Sequence, residues 1–90
     1  MRTIVIYSKP NCPYCVSAKQ FLINKGYTDF EEKVVGFNAT REELLEAAPN
    51  ARTVPQIVIN GNLIGGYDDL LKNWNSIKEQ YLPEQTFLAE

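Results

Sequence analysis

The only two cysteines of this 90-residue chain are Cys12 and Cys15, and they follow closely on an apolar, β-branched run over residues 3–8. Such a run is typical of a buried strand, and the Lys-Pro-Asn that follows it indicates a turn. If Pro13 opens a helix, the spacing of three residues places both sulfurs on one face of its first turn. The segment therefore predicts a strand, a turn and a helix, with two sulfurs where they join.

The predicted position of Cys12 favours a reactive thiolate. A cysteine at a helix start faces backbone N–H groups that lack a partner and the positive end of the helix dipole, and both stabilise a thiolate over a thiol. Lys9 lies three residues upstream and adds a positive charge. We therefore expect Cys12 to be the accessible nucleophile with a lowered pKa, and Cys15 to be the buried thiol that resolves its mixed disulfides.

Three other interpretations of the cysteine pair compete with this one. Structural zinc needs about four ligands, and a chain with no histidine and no third cysteine nearly excludes such a site. A permanent structural disulfide across so short a loop would constrain the unfolded chain little. A cluster of iron and sulfur shared between two copies, with two thiolates from each, stays open.

Composition and charge narrow the function further. The chain is 44% hydrophobic and 22% charged, with a net charge of −2, which is typical of one small globular domain over residues 1–90. The charges are interspersed, so no basic patch predicts nucleic-acid binding, and no apolar run is long enough to span a membrane. The amino terminus lacks the apolar core of a secretory signal. We expect a cytoplasmic protein, in whose reducing setting a cysteine pair is more often catalytic than structural.

Apolar spacing and turn residues predict the remaining elements. A second strand, over residues 28–35, carries enough charge to indicate a sheet edge. Asn38 or Thr40 can cap the next helix, and a threonine three residues before Glu43 is a capping-box pattern. Asn-Gly at residues 60–61 is the strongest two-residue hairpin signal. The predicted strands lie at residues 3–8, 28–35, 56–59 and 62–64, and the helices at residues 13–24, about 40–48 and 70–81.

The resulting order, β-α-β-α-β-β-α, predicts an α/β fold with a four-stranded mixed sheet, two strands parallel and two in a hairpin, flanked by helices on both faces. We expect a core over about residues 3–81 and a loosely held tail at residues 84–90. With Cys-x-x-Cys after the first strand, the order resembles that of dithiol glutaredoxins in the thioredoxin-like superfamily. Four motifs at the family's spacing carry the resemblance: Lys9, Cys-Pro-Tyr-Cys at 12–15, Thr-Val-Pro at 53–55 and Gly-Gly-Tyr-Asp-Asp at 65–69.

The resemblance implies a glutathione-dependent thiol–disulfide oxidoreductase. Such an enzyme reduces protein disulfides and glutathione mixed disulfides, with glutathione as co-substrate and no permanently bound cofactor. The implied partners are glutathione and disulfide-containing or glutathionylated proteins, ribonucleotide reductase among the candidates, and we expect a monomer. One alternative is a glutaredoxin-shaped electron donor recharged by a thioredoxin reductase. The other is the dimer that binds a cluster of iron and sulfur, which Pro13 should disfavour by stiffening the loop.

The resemblance gives the segment Thr53, Val54 and Pro55 a role in binding. Members of the superfamily keep a cis-proline beside the redox cysteines, and the residue before it turns its backbone outward. This implies a cis bond before Pro55 and a peptide edge at Val54 that pairs with the cysteine backbone of glutathione as an extra strand. The plainer alternative is a proline that begins a strand, since only about 5% of bonds before proline are cis in folded proteins.

The resemblance also assigns the segment at residues 65–69. Helix capping by Asp68 or Asp69 is the plainer interpretation. By resemblance, Gly66 and Tyr67 approach the γ-glutamyl end of glutathione, and the two aspartates hold its charged groups. Tyr67 stands where many relatives carry a cysteine.

The glycine carboxylate of glutathione needs cations. By resemblance Lys9 supplies one. Many glutaredoxins add a glutamine about ten residues before the arginine of the Arg-Thr-Val-Pro segment, and this chain carries Glu42 there, which would repel the ligand. Arg41 beside it is the expected substitute, and Arg52 is a further candidate. Tyr14 is expected both to contact the backbone of glutathione and to shape the turn.

Overall fold

The computed structural model describes residues 2–83, and the predicted tail at residues 84–90 lies outside them. The strands are β1 (Ile4–Ser8), β2 (Glu31–Val34), β3 (Gln56–Ile59) and β4 (Asn62–Gly65), and the helices are α1 (Pro13–Asn24), α2 (Arg41–Ala47), α3 (Tyr67–Lys72) and α4 (Trp74–Tyr81). The elements follow the predicted order, with a shorter second strand and a last helix divided in two. Within residues 2–83, no helix is long and apolar enough to cross a membrane.

The four strands form one mixed sheet in the order β2-β1-β3-β4, which confirms the predicted fold class. Strands β1 and β2 are parallel, and Ser8 pairs with Val34, so both strands finish at the same end of the sheet. Strand β3 is antiparallel to β1, and Tyr7 pairs with Gln56, so β3 begins at that end. The cysteine turn after β1 and the Thr-Val-Pro segment before β3 therefore meet there.

Side chains alternate between the two faces of the sheet, and each face is covered by helices. On one face, Ile4 and Ile6 are buried in a core that they share with α1, α3 and α4. On the other face, Tyr7 packs with Leu44 and Ala48, from α2 and its carboxyl end. Full burial of an aliphatic side chain contributes about 1.5–3 kcal/mol. These two cores hold in place the end of the sheet at which the cysteine turn lies.

Helix α2 begins as its sequence predicts. Thr40 is the N-cap, its hydroxyl accepts from the Glu43 N–H at 3.0 Å, and the Glu43 carboxylate accepts from the Thr40 N–H at 2.7 Å. This is the reciprocal capping box. Asn38, the alternative cap, instead accepts from the Val34 N–H at 2.7 Å and closes the turn after β2.

The prediction of one continuous carboxyl-terminal helix is wrong at Asn73. Its backbone lies at φ −108° and ψ 17°, outside the helical region, and it separates α3 from α4. Asparagine is a poor residue inside a helix because its side chain competes for backbone hydrogen bonds. The buried residues Leu70, Trp74 and Ile77 keep their helical spacing across the break, which is why the apolar pattern does not reveal it.

Strand β2 lies at the edge of the sheet, as its charge predicts. One of its carboxylates turns inward: Glu32 accepts from the hydroxyl of the fully buried Ser8 at 2.6 Å and from the Lys19 ammonium at 2.8 Å. The hydrogen bond from Lys19, and next that from Ser8, hold the pKa of Glu32 below its ordinary value of 4.5, against the opposing effect of burial. An inward charge on an edge strand also discourages pairing with other chains.

This network predicts a pH-dependent contribution to stability. Because the folded-state pKa of Glu32 is depressed, the contribution is present above the unfolded pKa and is lost as the pH falls through the folded pKa. We expect Glu32→Gln to lower the free energy of unfolding at pH 7 by about 1 kcal/mol, since the group is partly exposed. Urea unfolding should show that this difference from the unaltered chain shrinks at about pH 3.

The matched control is Glu31→Gln, on the neighbouring exposed residue, and it should change the free energy of unfolding little at either pH. A difference for Glu32→Gln that stayed constant from neutral to acidic pH would contradict the assignment.

Candidate active site

The cysteine turn forms the start of α1. Cys12 is the N-cap, Pro13 takes the first helical position, and the Cys15 N–H donates to the Cys12 sulfur at 3.2 Å. The two cysteines are joined as a disulfide with their Cα atoms 5.2 Å apart. Asn11 enters the turn with φ 57°, a left-handed conformation that asparagine tolerates better than most residues. The Cys15 N–H, which donates to the Cys12 sulfur, would stabilise a Cys12 thiolate in the reduced protein.

Both cysteines are buried in this oxidised form. Cys15 is 2% exposed and Cys12 is 7% exposed, so their order is as expected but Cys12 is less accessible than the sequence predicts. The Thr-Val-Pro segment contributes to this burial, since the Val54 carbonyl oxygen lies 3.8 Å from the Cys12 sulfur. A substrate therefore has to reach Cys12 through the cleft beside this segment.

The roles of the two thiols predict a labelling order. In the reduced protein at about pH 6, iodoacetamide should label Cys12 at least about tenfold faster than Cys15, because a helix start lowers a thiol pKa from about 8.5 into the range of about 3.5–7.5. Mass spectrometry of tryptic peptides at short times gives the ratio. Faster labelling of Cys15 would reverse the assignment.

The Val54 backbone forms the expected peptide edge. The bond between Val54 and Pro55 is cis, as the resemblance implies. Among residues 2–83, the Val54 N–H donates to no backbone carbonyl, whereas the Thr53 carbonyl accepts from the Gln56 side chain at 3.0 Å. Pro55 is buried and anchors the segment. An extended chain laid along Val54 could thus pair with a backbone that has hydrogen-bonding capacity to spare.

A cleft of about 600 Å³ runs past the cysteine turn, within the range of about 300–1,000 Å³ that small-molecule sites occupy. It brings together nearly all the predicted site residues: Lys9, Cys12, Tyr14, Arg52, Thr53, Val54, Pro55, Gly66, Tyr67, Asp68 and Asp69. Cys15 is buried behind Cys12. Arg41 does not line this cleft and lies on a neighbouring cavity of about 320 Å³.

Sequence reasoning missed three residues that line the cleft, Asn11, Pro13 and Gln56. Pro13 lies within the Cys-Pro-Tyr-Cys motif, and Asn11 and Gln56 are each adjacent in sequence to a motif residue. Nothing in their chemistry distinguishes them, and only their proximity to the motifs could have indicated them.

The two aspartates at the start of α3 differ in their contacts. The Asp69 carboxylate accepts from the Gly66 N–H at 3.3 Å, so it caps the helix in part, as the plainer interpretation expects. Gly65, at φ 121°, has no room for a side chain because a Cβ would overlap the Asp69 carboxylate. Asp68 is exposed, and its carboxylate accepts no hydrogen bond from the other described residues. Asp68 is thus the carboxylate better placed for a ligand.

Two tyrosines form one wall of the cleft. The rings of Tyr14, from α1, and Tyr67, from α3, stack with centroids 6.0 Å apart and planes at 30°. Tyr14 is 65% exposed, which leaves most of its surface available to a bound molecule.

Charge is separated along the cleft. Lys9 and Arg52 line both the cleft and the neighbouring cavity, whereas Asp68 and Asp69 line the cleft alone. The cations therefore mark the end nearest that cavity, and the aspartates mark the part away from it. Such an arrangement suits a ligand with a carboxylate at one end and an ammonium at the other.

The family model named Glutaredoxin matches residues 4–64. Glutaredoxin 3 of Escherichia coli strain K12 is 44% identical over 70 residues, which are 78% of this chain and 83% of that protein. A protein named hybrid peroxiredoxin hyPrx5, from Haemophilus influenzae, is 47% identical over 70 residues, and the chain spans only 28% of its length.

Solved structures give the same result. Glutaredoxin 1 from Francisella tularensis, in a complex with cacodylate, has a TM-score of 0.71 and 30% identity, covering 89% of this chain and 100% of that one. Glutaredoxin from Brucella melitensis has a TM-score of 0.67 and 36% identity, covering 97% and 94%. With a family match over more than half of its residues, these relatives and its Cys-x-x-Cys pair, the chain belongs to the glutaredoxin family of thiol–disulfide oxidoreductases.

Proposed function

We propose that this protein uses glutathione to reduce glutathionylated and disulfide-bonded proteins through Cys12 and Cys15. One observation carries the proposal: the cleft places the Cys12 sulfur 3.8 Å from the Val54 carbonyl, with cations at one end and carboxylates away from that end. Glutathione is a short peptide with a thiol in its middle, a carboxylate at its glycine end and both an ammonium and a carboxylate at its γ-glutamyl end. Its charges and its reactive atom match this order.

Each part of the cleft has a role in this proposal. Lys9 and Arg52 attract the glycine carboxylate, and the Val54 N–H and carbonyl pair with the cysteine backbone of glutathione. Thr53 and Pro55 hold Val54 in position. Arg41 lies on the neighbouring cavity, so we assign it no direct contact with glutathione.

The γ-glutamyl end lies at the start of α3. The backbone of Gly66 and Tyr67 approaches its carboxylate, and the Asp68 carboxylate pairs with its ammonium. Asp69 supports this arrangement by holding the Gly66 N–H. Tyr14 and Tyr67 cover the middle of the ligand.

Deglutathionylation then takes two exchanges. The Cys12 thiolate attacks the glutathione sulfur of the mixed disulfide, a bond forms between Cys12 and glutathione, and the protein leaves as a thiolate that takes up a proton. A second glutathione thiolate attacks the glutathione sulfur on Cys12, forms glutathione disulfide and releases the Cys12 thiolate. The net reaction consumes one free glutathione, and the glutathione disulfide contains that molecule together with the one removed from the protein.

Reduction of a protein disulfide uses both cysteines. Cys12 forms a mixed disulfide with the substrate, and the Cys15 thiolate attacks Cys12 and frees the reduced substrate. This step forms the bond between Cys12 and Cys15 that the structure contains. Two glutathione molecules then restore both thiols.

We expect the protein to act as a monomer in the cytoplasm, where the glutathione pool is reducing. Ribonucleotide reductase is one candidate protein substrate. Sedimentation of the reduced chain, with and without iron and sulfide, tests the monomer against the dimer that holds a cluster.

The proposal is tested by turnover of a small glutathione mixed disulfide. One reaction contains glutathione, glutathione reductase and NADPH, and a parallel reaction contains thioredoxin reductase and NADPH instead. We expect rapid oxidation of NADPH in the first and much slower oxidation in the second. The reverse result would favour the electron donor recharged by thioredoxin reductase.

A further inference from the structure

A second cavity of about 320 Å³ lies between α2 and the segment before Pro55. Its apolar lining consists of Val35, Leu44, Leu45, Ala51 and Val54. The side chains of Lys9, Arg41 and Arg52 line it too, so three of the nine basic residues in a chain of net charge −2 gather here. An apolar lining with clustered cations favours a ligand that carries both an apolar group and negative charge.

This cavity continues the cleft. The two share Lys9, Arg52, Thr53 and Val54, so a molecule seated at Val54 can extend into the cavity past Thr53. Under the proposed function the carboxyl end of glutathione lies at the shared cations. A protein substrate that pairs with Val54 in the same sense directs the residues after its target cysteine toward the cavity.

The spacing follows from strand geometry. In an antiparallel pair, the residue two positions after the target cysteine lies opposite the residue two positions before Val54, which is Arg52. An extended chain rises about 3.3 Å per residue, so residues two and three after the cysteine lie roughly 7–10 Å along the chain from Val54. Glutathione has only one residue, glycine, after its cysteine, and it therefore leaves the apolar lining of the cavity uncovered.

We propose that this second cavity selects protein substrates whose target cysteine is followed, two to three residues later, by an acidic residue next to an apolar one. The apolar side chain of the substrate packs against the apolar lining of the cavity, which includes Leu45. The acidic side chain of the substrate faces Arg41 and Arg52. A basic residue at the same place is repelled. The proposal rests on the proposed function, because that function sets the direction in which the substrate runs.

The test uses three peptides, each with one internal disulfide. In the first peptide the attacked cysteine is followed by Gly-Glu-Leu, in the second by Gly-Lys-Leu and in the third by Gly-Glu-Ser. We expect the unaltered protein to reduce the first with a kcat/KM about tenfold above that of the third, since loss of apolar groups from a pocket costs about 10–200-fold. The second peptide should be slower by about threefold or more, as expected of exposed ion pairs. Equal values for all three would overturn the proposal.

A variant locates the preference in the cavity. Leu45 is half-buried and lies outside both hydrophobic cores, so Leu45→Ser should leave the fold intact. It should remove most of the preference for Gly-Glu-Leu over Gly-Glu-Ser, whereas Leu63→Ser, on the exposed face of β4, should retain it. A preference that survived Leu45→Ser would overturn the placement. If the variant does not fold, the three peptides reduced by the unaltered chain still show whether the proposed preference exists.

Turnover of the small glutathione mixed disulfide distinguishes a failure of the cavity's preference from a failure of the proposed function. Leu45→Ser should change that activity less than about twofold, because glutathione is too short to reach Leu45. If the unaltered protein did not turn over the small mixed disulfide, the proposed function would fail. If it did so but treated the three peptides alike, only the inference about the cavity would fail.

Discussion

Replacing Cys12 by serine is expected to abolish both the reduction of glutathione mixed disulfides and the reduction of protein disulfides. Serine keeps the capping oxygen at the start of α1 but cannot form a disulfide with glutathione or with a protein. The loss should exceed about a thousandfold, as expected when a covalent nucleophile is removed. The coupled glutathione reductase assay measures the first activity, and thiol release from an oxidised model protein measures the second.

The matched variant is Cys15→Ser, which should separate the two activities. A second glutathione can remove glutathione from Cys12, so deglutathionylation should persist. Release from a protein mixed disulfide should fail, because Cys15 is the only other thiol in the chain. A folded Cys15→Ser variant that lost both activities would contradict the route through glutathione and would favour the donor recharged by thioredoxin reductase.

Replacing Leu70 by alanine is expected to have the largest effect on stability. Leu70 is 0% exposed and joins α3 to the core above β1 and β3. Truncation of a buried leucine costs about 2–5 kcal/mol, a large part of the total for a small domain. Urea unfolding monitored by circular dichroism gives the change in the free energy of unfolding.

The adjacent leucine provides the control. Leu71 lies on the same helix but is 41% exposed. Leu71→Ala should cost less than about 1 kcal/mol, because little apolar area returns to water. Equal costs for the two variants would show that α3 is not held by the core in the way described. The start of α3 carries the aspartates of the cleft, so Leu70→Ala should also weaken glutathione binding before global unfolding.

Local signals predict most of the fold. The capping box between Thr40 and Glu43, the Asn-Gly hairpin and the proline that opens α1 each depend on a few neighbouring residues, and the structure contains all three. The break at Asn73 could not be predicted in the same way. The apolar spacing of α3 and α4 indicates which side of each helix faces the core, and that apolar side is continuous across the break.

The sequence predicts those residues of the candidate site that belong to recognisable motifs. Residues from three separate segments, at Cys12, Val54 and Asp68, line one cleft because β1 and β4 finish, and β3 begins, at the same end of the sheet. The low exposure of Cys12 depends on how closely the Thr-Val-Pro segment packs on the turn, which is a tertiary contact. The position of Arg41 likewise depends on the orientation of α2, and a sequence offset from Arg52 does not specify it.

The decisive measurement is the structure of Cys15→Ser with glutathione joined to Cys12 by a disulfide bond. We expect the cysteine N–H and carbonyl of glutathione to pair with the Val54 backbone at about 2.7–3.2 Å. The glycine carboxylate should lie beside Lys9 and Arg52, and the γ-glutamyl ammonium should lie beside Asp68. A glutathione attached to Cys12 but turned away from Val54, or bound with its ends reversed, would contradict the proposed binding mode.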